Sequence, residues 1–367
     1  GDGRDDLISL QRAQNRICIW PGMADGKFNA PFSCIYDIEV PAFNPIFDDG
    51  SGEEPIGAAD LTGDGKADLL SLSGSTLTLR PGALNSSGLP SFGAPSSAYS
   101  GSIDSSLLDG SGEELIGLLD FNRDGRPDLV SSTDAGDIRT YLGQAGGTFA
   151  APTTHDADIP SSRLGLAGNE FVAEKPIFKR RGEGTCGSGG CRWTVDPHSE
   201  DDVNGDRRAD LIAVDSDGTA QVFRGTDAGI EVSSPTGSLA EQLDPALYDG
   251  VGQYMIDSSD LTGEGRADLV MVDGQGKVSV SKGKADLRFA APAPAGPQLP
   301  TVLNGAGDYE PIGLGDVNGD GRADLVGLKG NHLRTDPGQA DGSFGAAVTQ
   351  TAAGYDSALT DGTGEYP

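Results

Sequence analysis

One acidic stretch recurs along the chain and sets its architecture. "DLTGDGKADLL" at 60–70 has near copies in "DFNRDGRPDLV" from 120, "DVNGDRRADLI" from 202, "DLTGEGRADLV" from 260 and "DVNGDGRADLV" from 316. A truncated copy, "GDGRDDLISL", opens the sequence. The first aspartates of the complete copies are 60, 82, 58 and 56 residues apart, so one step is about 22 residues longer than the rest. A period near 60 exceeds that of most helical solenoids and suits a blade of four short strands.

The rest of the repeat agrees. In the last copy "EPIGLGD" (310–316) reads as a strand entering the acidic loop and "ADLVGL" (323–328) as a strand leaving it. "HLRTDPG" (332–338) reads as a third strand, and "QADGSFGAAVTQT" (339–351) as a turn and a fourth. "IWPGMADGKFNAP", "TYLGQAGGTFAAP" and "VSKGKADLRFAAP" supply the equivalent third-strand and turn segments elsewhere. Such a meander cannot bury both of its faces alone, so blades must stack around an axis. The expectation is an all-β propeller of six four-stranded blades forming a single domain over 1–367; seven blades, or part of a longer array, are the alternatives. The chain stops in "LTDGTGEYP", which matches the segment before an inner strand. By analogy the residues that would follow lead into the loop at residue 1, so the sequence reads as six periods less one inner strand.

The loop chemistry points to a hard cation. Counting from Asp60, carboxylates fall at positions 1, 5 and 9 (Asp60, Asp64, Asp68). Thr62 stands at position 3, and Lys66 at position 7 is expected to turn its side chain outward and offer its carbonyl. Position 6 is Gly65, where a sharp turn favours a residue tolerant of positive φ. Oxygen donors at alternating positions of a tight turn are what Ca²⁺ requires, at about 2.3–2.6 Å. An Asx-turn alone is the plainer alternative, but turns do not need three converging carboxylates, which repel one another without a cation.

This pattern, with the downstream G-x-F-x-x-P segments, resembles the FG-GAP/VCBS repeat family of integrin-α-like calcium-binding propellers and of bacterial surface and toxin-associated proteins. The resemblance covers nearly the whole chain except about 156–200. It implies Ca²⁺ as the cofactor, held between the first and second strand of each blade. The carried-over sets are Asp60, Thr62, Asp64, Lys66, Asp68; Asp120, Asn122, Asp124, Arg126, Asp128; Asp202, Asn204, Asp206, Arg208, Asp210; Asp260, Thr262, Glu264, Arg266, Asp268; and Asp316, Asn318, Asp320, Arg322, Asp324. The 202 copy has Arg207 for the turn glycine and is expected to bind more weakly. Glu264 is expected to distort the shell of the 260 copy by its length, and the opening copy keeps only Asp2 and Asp6.

Charge narrows the partners. The chain has 56 Asp and Glu against 26 Lys and Arg, a formal charge of −30, which argues against nucleic acid and anionic membrane surfaces and favours metal cations or cationic protein faces. No apolar run approaches the roughly 20 residues of a membrane span. The sequence has no signal peptide but starts within a motif, so this says nothing about compartment. Cys18 and Cys34 lie on two strand-like segments of one hairpin, and Cys186 and Cys191 enclose "GSGG". Two disulfides and an extracellular location are expected, against four reduced thiols in the cytosol.

His155, His198 and His332 lie in unrelated contexts, and no nucleophile elbow or phosphate loop is present, so no enzyme is expected. An acidic Gly-rich element precedes each inner strand (48–54, 108–114, 248–254, 303–310, 360–366) and reads as solvated turns or an acidic rim. The long step carries "KRR" at 179–181. It is expected to leave the propeller at 156–200, before the inner strand, on the face opposite the acidic loops. The function expected is a calcium-stabilised, extracellular protein-binding, adhesion or scaffold module. The alternatives are a carbohydrate-binding propeller, which should repeat an aromatic platform that Trp20 and Trp193 do not supply, and a docking or shell propeller of a large secreted toxin assembly.

Overall fold

The structure is a computed structural model. It describes residues 4–11, 16–29, 33–36, 54–84, 90–101, 103, 113–133, 135–156, 170–172, 202–214, 220–231, 253–273, 276–296, 310–329 and 332–351. Every regular element among them is a strand. Among the described residues no helix is long and apolar enough to cross a membrane.

The strands form antiparallel sheets in sequence order. The second sheet shows the plan: an inner strand Glu54–Ala59, then Asp68–Ser73, Thr76–Arg80 and the outer Ser96–Ser97. The acidic loop joins the first strand to the second in that sheet and in the third, fifth and sixth. The second strands carry continuous apolar runs because both of their faces are covered; in Asp68–Ser73 only the last residue is exposed. Four inner strands carry a bulge at one equivalent place, between Pro55 and Gly57, Leu115 and Gly117, Met255 and Asp257, and Pro311 and Gly313. A bulge there increases local twist where the strands crowd the axis.

The core lies between sheets rather than within them. Leu70, Leu77 and Leu79 of the second sheet pack with Leu118, Leu129, Tyr141 and Phe149 of the third. Phe121 and Val130 of the third meet Ala209, Leu211 and Phe223 of the fourth. Val203 and Val222 of the fourth meet Leu269, Met271 and Phe289 of the fifth, and Leu261 and Val280 of the fifth meet Leu325 and Phe344 of the sixth. This is the stacking of propeller blades, and the all-β propeller expected from the repeat is what the chain forms.

The blade count differs from the expectation. Among the described residues five sheets have four strands, and residues 7–36 make a sheet of three, so neither six four-stranded blades nor seven is met. The reason is positional. Each four-stranded sheet begins with the strand that leads into its acidic loop, whereas the first begins at Leu7, with the strand that leaves one. This first sheet docks on the sixth. Asp5 N–H donates to Asp316 C=O at 2.9 Å, and the Gln350 side-chain amide accepts from Phe28 N–H and donates to Phe28 C=O, both at 2.8 Å.

The long step is also placed differently. Glu170–Val172 pairs with Leu211–Val214 as the inner strand of the fourth sheet. The connection before it, 156–169, is as short as those at 98–112 and 295–309. The extra length therefore falls between Val172 and Asp202, attached at the acidic-loop end of the blade and not at the opposite end. The Lys179–Arg181 run, Cys186, Cys191 and most of the acidic elements before the inner strands lie outside the described residues.

Candidate metal centre

Each acidic loop is knitted by its first and last carboxylates. Asp60 Oδ1 accepts the N–H groups of Gly63 (2.7 Å) and Asp64 (2.9 Å), and its Oδ2 accepts that of Gly65 (2.7 Å). Asp120, Asp202, Asp260 and Asp316 do the same in their loops. The turn they hold needs left-handed backbone at position 6, where Gly65, Gly125, Gly265 and Gly321 have φ of 78 to 81° and Arg207 adopts 67°.

The carboxylate at position 9 is buried and reaches along the blade. Asp128 Oδ1 accepts from Gly143 N–H at 2.7 Å, and its Oδ2 from Phe121 N–H at 3.1 Å. Asp68, Asp210, Asp268 and Asp324 bond in the same way to Gly82, Gly225, Gly283 and Gly338. Asp6 of the truncated copy bonds to Gly22. Burial pushes these carboxyls up, with nearby loop carboxylates adding: Asp128 to about 8 and Asp210, Asp268 and Asp324 to about 7.

The glycines that donate these bonds are site residues that the loop motif alone does not single out. A Cβ on Gly82, Gly143, Gly225, Gly283 or Gly338 would stand 2.1–2.4 Å from the position-8 carbonyl of its own loop. A signal was present: a glycine falls 14 or 15 residues after each complete loop's last aspartate, in "RPG", "YLG", "FRG", "SKG" and "DPG". The apolar residue at position 2 was passed over as well. Leu61, Phe121, Val203 and Leu261 are buried in the clusters shared with the next sheet.

At position 7 of four loops the side chain stays at the surface and pairs with the position-5 carboxylate. Lys66 pairs with Asp64 and Arg126 with Asp124, while Arg266 reaches Glu264 and Arg322 reaches Asp320, each at 2.6 Å. The arginines also donate Nε to Gly143, Gly283 and Gly338 carbonyls at 3.1–3.4 Å. With position 5 so engaged, no three His, Cys, Asp or Glu side chains converge on one point among the described residues. The donor chemistry nonetheless fits a hard cation. In the 260 loop, Asp268 Oδ2 and Thr262 Oγ1 are buried without a hydrogen-bond partner. The position-5 pairs that would have to open are 30–46% exposed in the 60, 120 and 316 loops, and exposed ion pairs contribute little.

A family model for FG-GAP-like repeats matches residues 1–71 and 260–327. No curated protein matches the chain. Among solved structures, an Agrocybe aegerita lectin studied for its recognition of non-reducing terminal N-acetylglucosamine is similar over 99% of this chain and 95% of its own, at 17% identity and a TM-score of 0.56. The TcdB2-TccC3-Cdc42 structure is 15% identical over 88% of this chain but only 17% of its own, with a TM-score of 0.31. BBS1N in complex with ARL6DN is 11% identical over 97% and 90%, with a TM-score of 0.36. The lectin shares the fold; the other two likenesses are too loose to carry an argument. The chain is a β-propeller that carries FG-GAP-like repeats at residues 1–71 and 260–327.

Proposed function

We propose that this propeller is stabilised by calcium and serves outside the cell as a protein-binding module. The observation that carries the calcium reading is the 260 loop, where a buried carboxylate oxygen of Asp268 and the buried hydroxyl of Thr262 have no partner. A buried acceptor left unsatisfied costs about 1–3 kcal/mol, and a cation satisfies it. Asp260, Glu264 and Asp268 would hold Ca²⁺ there with the Arg266 carbonyl, and the equivalent residues would do so at 60, 120 and 316. Bound calcium supplies positive charge where these carboxylates crowd.

The test is thermal unfolding in calcium and in chelator. Binding to the folded state alone should stabilise it by about 2.7 kcal/mol at a hundredfold excess over Kd. An unchanged midpoint, with no metal retained by the protein, overturns the calcium reading.

The partner reading rests on charge. A chain at −30 presents a field that attracts cationic protein faces. The likeness to the lectin over nearly the whole of both chains makes carbohydrate the second reading. Trp20 speaks against it, since a fully buried indole cannot serve as a sugar platform. A glycan array in calcium separates the two; specific retention of one glycan class would replace the protein-binding reading.

A further inference from the structure

We propose that the acidic loop at 202 is held closed by the chain's own Arg224 guanidinium, in the role a metal ion takes in the other loops, and so responds to calcium least of the five. This inference rests on the calcium reading for the remaining loops.

The fourth sheet also departs from the repeat in its third strand. Arg224 immediately precedes Gly225, where the other sheets have Pro21, Pro81, Leu142, Lys282 and Pro337. Its Nε and Nη2 both donate to Asp206 Oδ2, at 3.0 and 2.8 Å. Asp206 is the position-5 carboxylate, the one that elsewhere pairs with its own position-7 residue two places along. Here the cation comes instead from the third strand, across the same blade. It ties loop to strand, as an ion shared between them would. A guanidinium donating two bonds from a strand also loses less freedom than a lysine on a loop.

Arg208, displaced from its usual partner, turns away. Its Nη1 donates to the carbonyls of Phe121 (3.4 Å) and Asn122 (3.1 Å) in the preceding loop, and its Nη2 pairs with Asp227 at 2.6 Å. The loop and the residue before Gly225 thus carry three guanidinium-bearing residues, Arg207, Arg208 and Arg224, for the three carboxylates Asp202, Asp206 and Asp210. At the equivalent positions the 316 loop has the same three carboxylates with Gly321, Arg322 and Pro337. Asp210 has both oxygens engaged, by Gly225 N–H and Val203 N–H, each at 3.0 Å, as Asp128 does, so what sets this loop apart is Arg224. Its position-5 charge is already met from the strand, and little remains for calcium to gain.

Hydrogen exchange on the full chain tests this, in chelator and in saturating calcium. The readout is the loop amides that donate to the first aspartate: 205–207 in this loop, against 124–125 and 319–321 in two others. In wild type, 205–207 should be protected in chelator and change by less than about twofold with calcium, while the other loops gain about tenfold or more. Arg224→Leu, which installs the residue of the third sheet, should expose 205–207 in chelator and make them calcium-responsive. Asp206→Asn should expose them in chelator from the other side of the pair. The proposal is overturned if 205–207 exchange in chelator as fast as 124–125, or if neither variant alters them. If no loop responds to calcium, the calcium reading fails, and the comparison in chelator still decides for or against Arg224.

Discussion

Replacing Gly283 with alanine isolates the contact on which the blade plan depends. Gly283 does not have left-handed backbone, so alanine meets no conformational penalty there, only a lack of room. Its Cβ would stand 2.2 Å from Ala267 C=O, in its own acidic loop, and 3.0 Å from Val203 C=O of the preceding sheet. Both obstacles are backbone and cannot rotate aside. Overpacking of this kind costs about 1–3 kcal/mol. The shift also strains the 3.0 Å bond from Gly283 N–H to Asp268, and a hydrogen bond to a charged group is worth about 1.5–3 kcal/mol. The expected loss is therefore about 3–5 kcal/mol. With an unfolding entropy of roughly 2.1 cal/mol/K per residue over 367 residues, the midpoint should fall by about 4–6 °C. Gly265 provides the control: its φ is 78° and a Cβ there meets nothing within 4 Å. Melting of four variants in chelator separates the two causes. Asparagine tolerates left-handed backbone better than alanine does, so Gly265→Asn should be milder than Gly265→Ala. At Gly283 the order should reverse, because asparagine is larger. A Gly283→Ala protein that melts with wild type, or the same order at both sites, would refute the reasoning.

Three further outcomes are expected. Leu287 holds φ of 62° where Gly26, Gly147 and Gly342 stand in other turns, and it packs against the Val203–Phe289 cluster; Leu287→Ala, which keeps the backbone penalty of about 1–2 kcal/mol and loses the packing, should be less stable than Leu287→Gly by chemical denaturation. Burial holds the His155 imidazole below its usual pKa of 6.5 while it bonds Thr140 Oγ1 at 2.9 Å. The unfolded chain therefore takes up that proton first, and stability is lost as pH falls through about 6.5; His155→Asn should remove this part of the acid sensitivity, and identical pH profiles for the two proteins would count against it. Cys18 and Cys34 are register partners on neighbouring strands, so non-reduced peptide mapping should recover them as one cross-linked species, and two free thiols there would end the disulfide reading.

The period, the strand order and the loop positions were legible because one pattern is written repeatedly. The strands read for the last repeat coincide with Glu310–Gly315, Asp324–Lys329, His332–Asp336 and Val348–Thr351 to within a residue or two. What escaped was whatever depends on a neighbouring sheet. The clash that fixes Gly283 comes partly from Val203, some 80 residues earlier, and no local pattern carries that information. The contacts of the position-7 arginines are equally invisible in the loop pattern, because the glycine carbonyls that hold Arg266 and Arg322 lie just beyond the third strand. The attachment of the long step was misplaced for a related reason. "NEFV" is a short apolar segment without its acidic loop beside it, and only its pairing with Leu211–Val214 identifies it as the inner strand.

The Gln350 clasp on Phe28 has a consequence for assembly. At two joints between consecutive sheets the phenylalanine N–H finds a backbone carbonyl, Phe149 on Ala98 and Phe344 on Ala295. Where the first sheet meets the sixth, a side-chain amide does this work for both backbone groups. The same contacts make the first sheet of one molecule complementary to the sixth of another, and open chains could link head to tail without any new kind of contact. Closure prevails because a molecule's own sixth sheet is present at an effective concentration on the order of millimolar. At micromolar protein that advantage is about a thousandfold, and it shrinks as chains are crowded before their rings have shut. Refolding from dilute solution should then yield monomers, and refolding from concentrated solution should yield strings of the same blades.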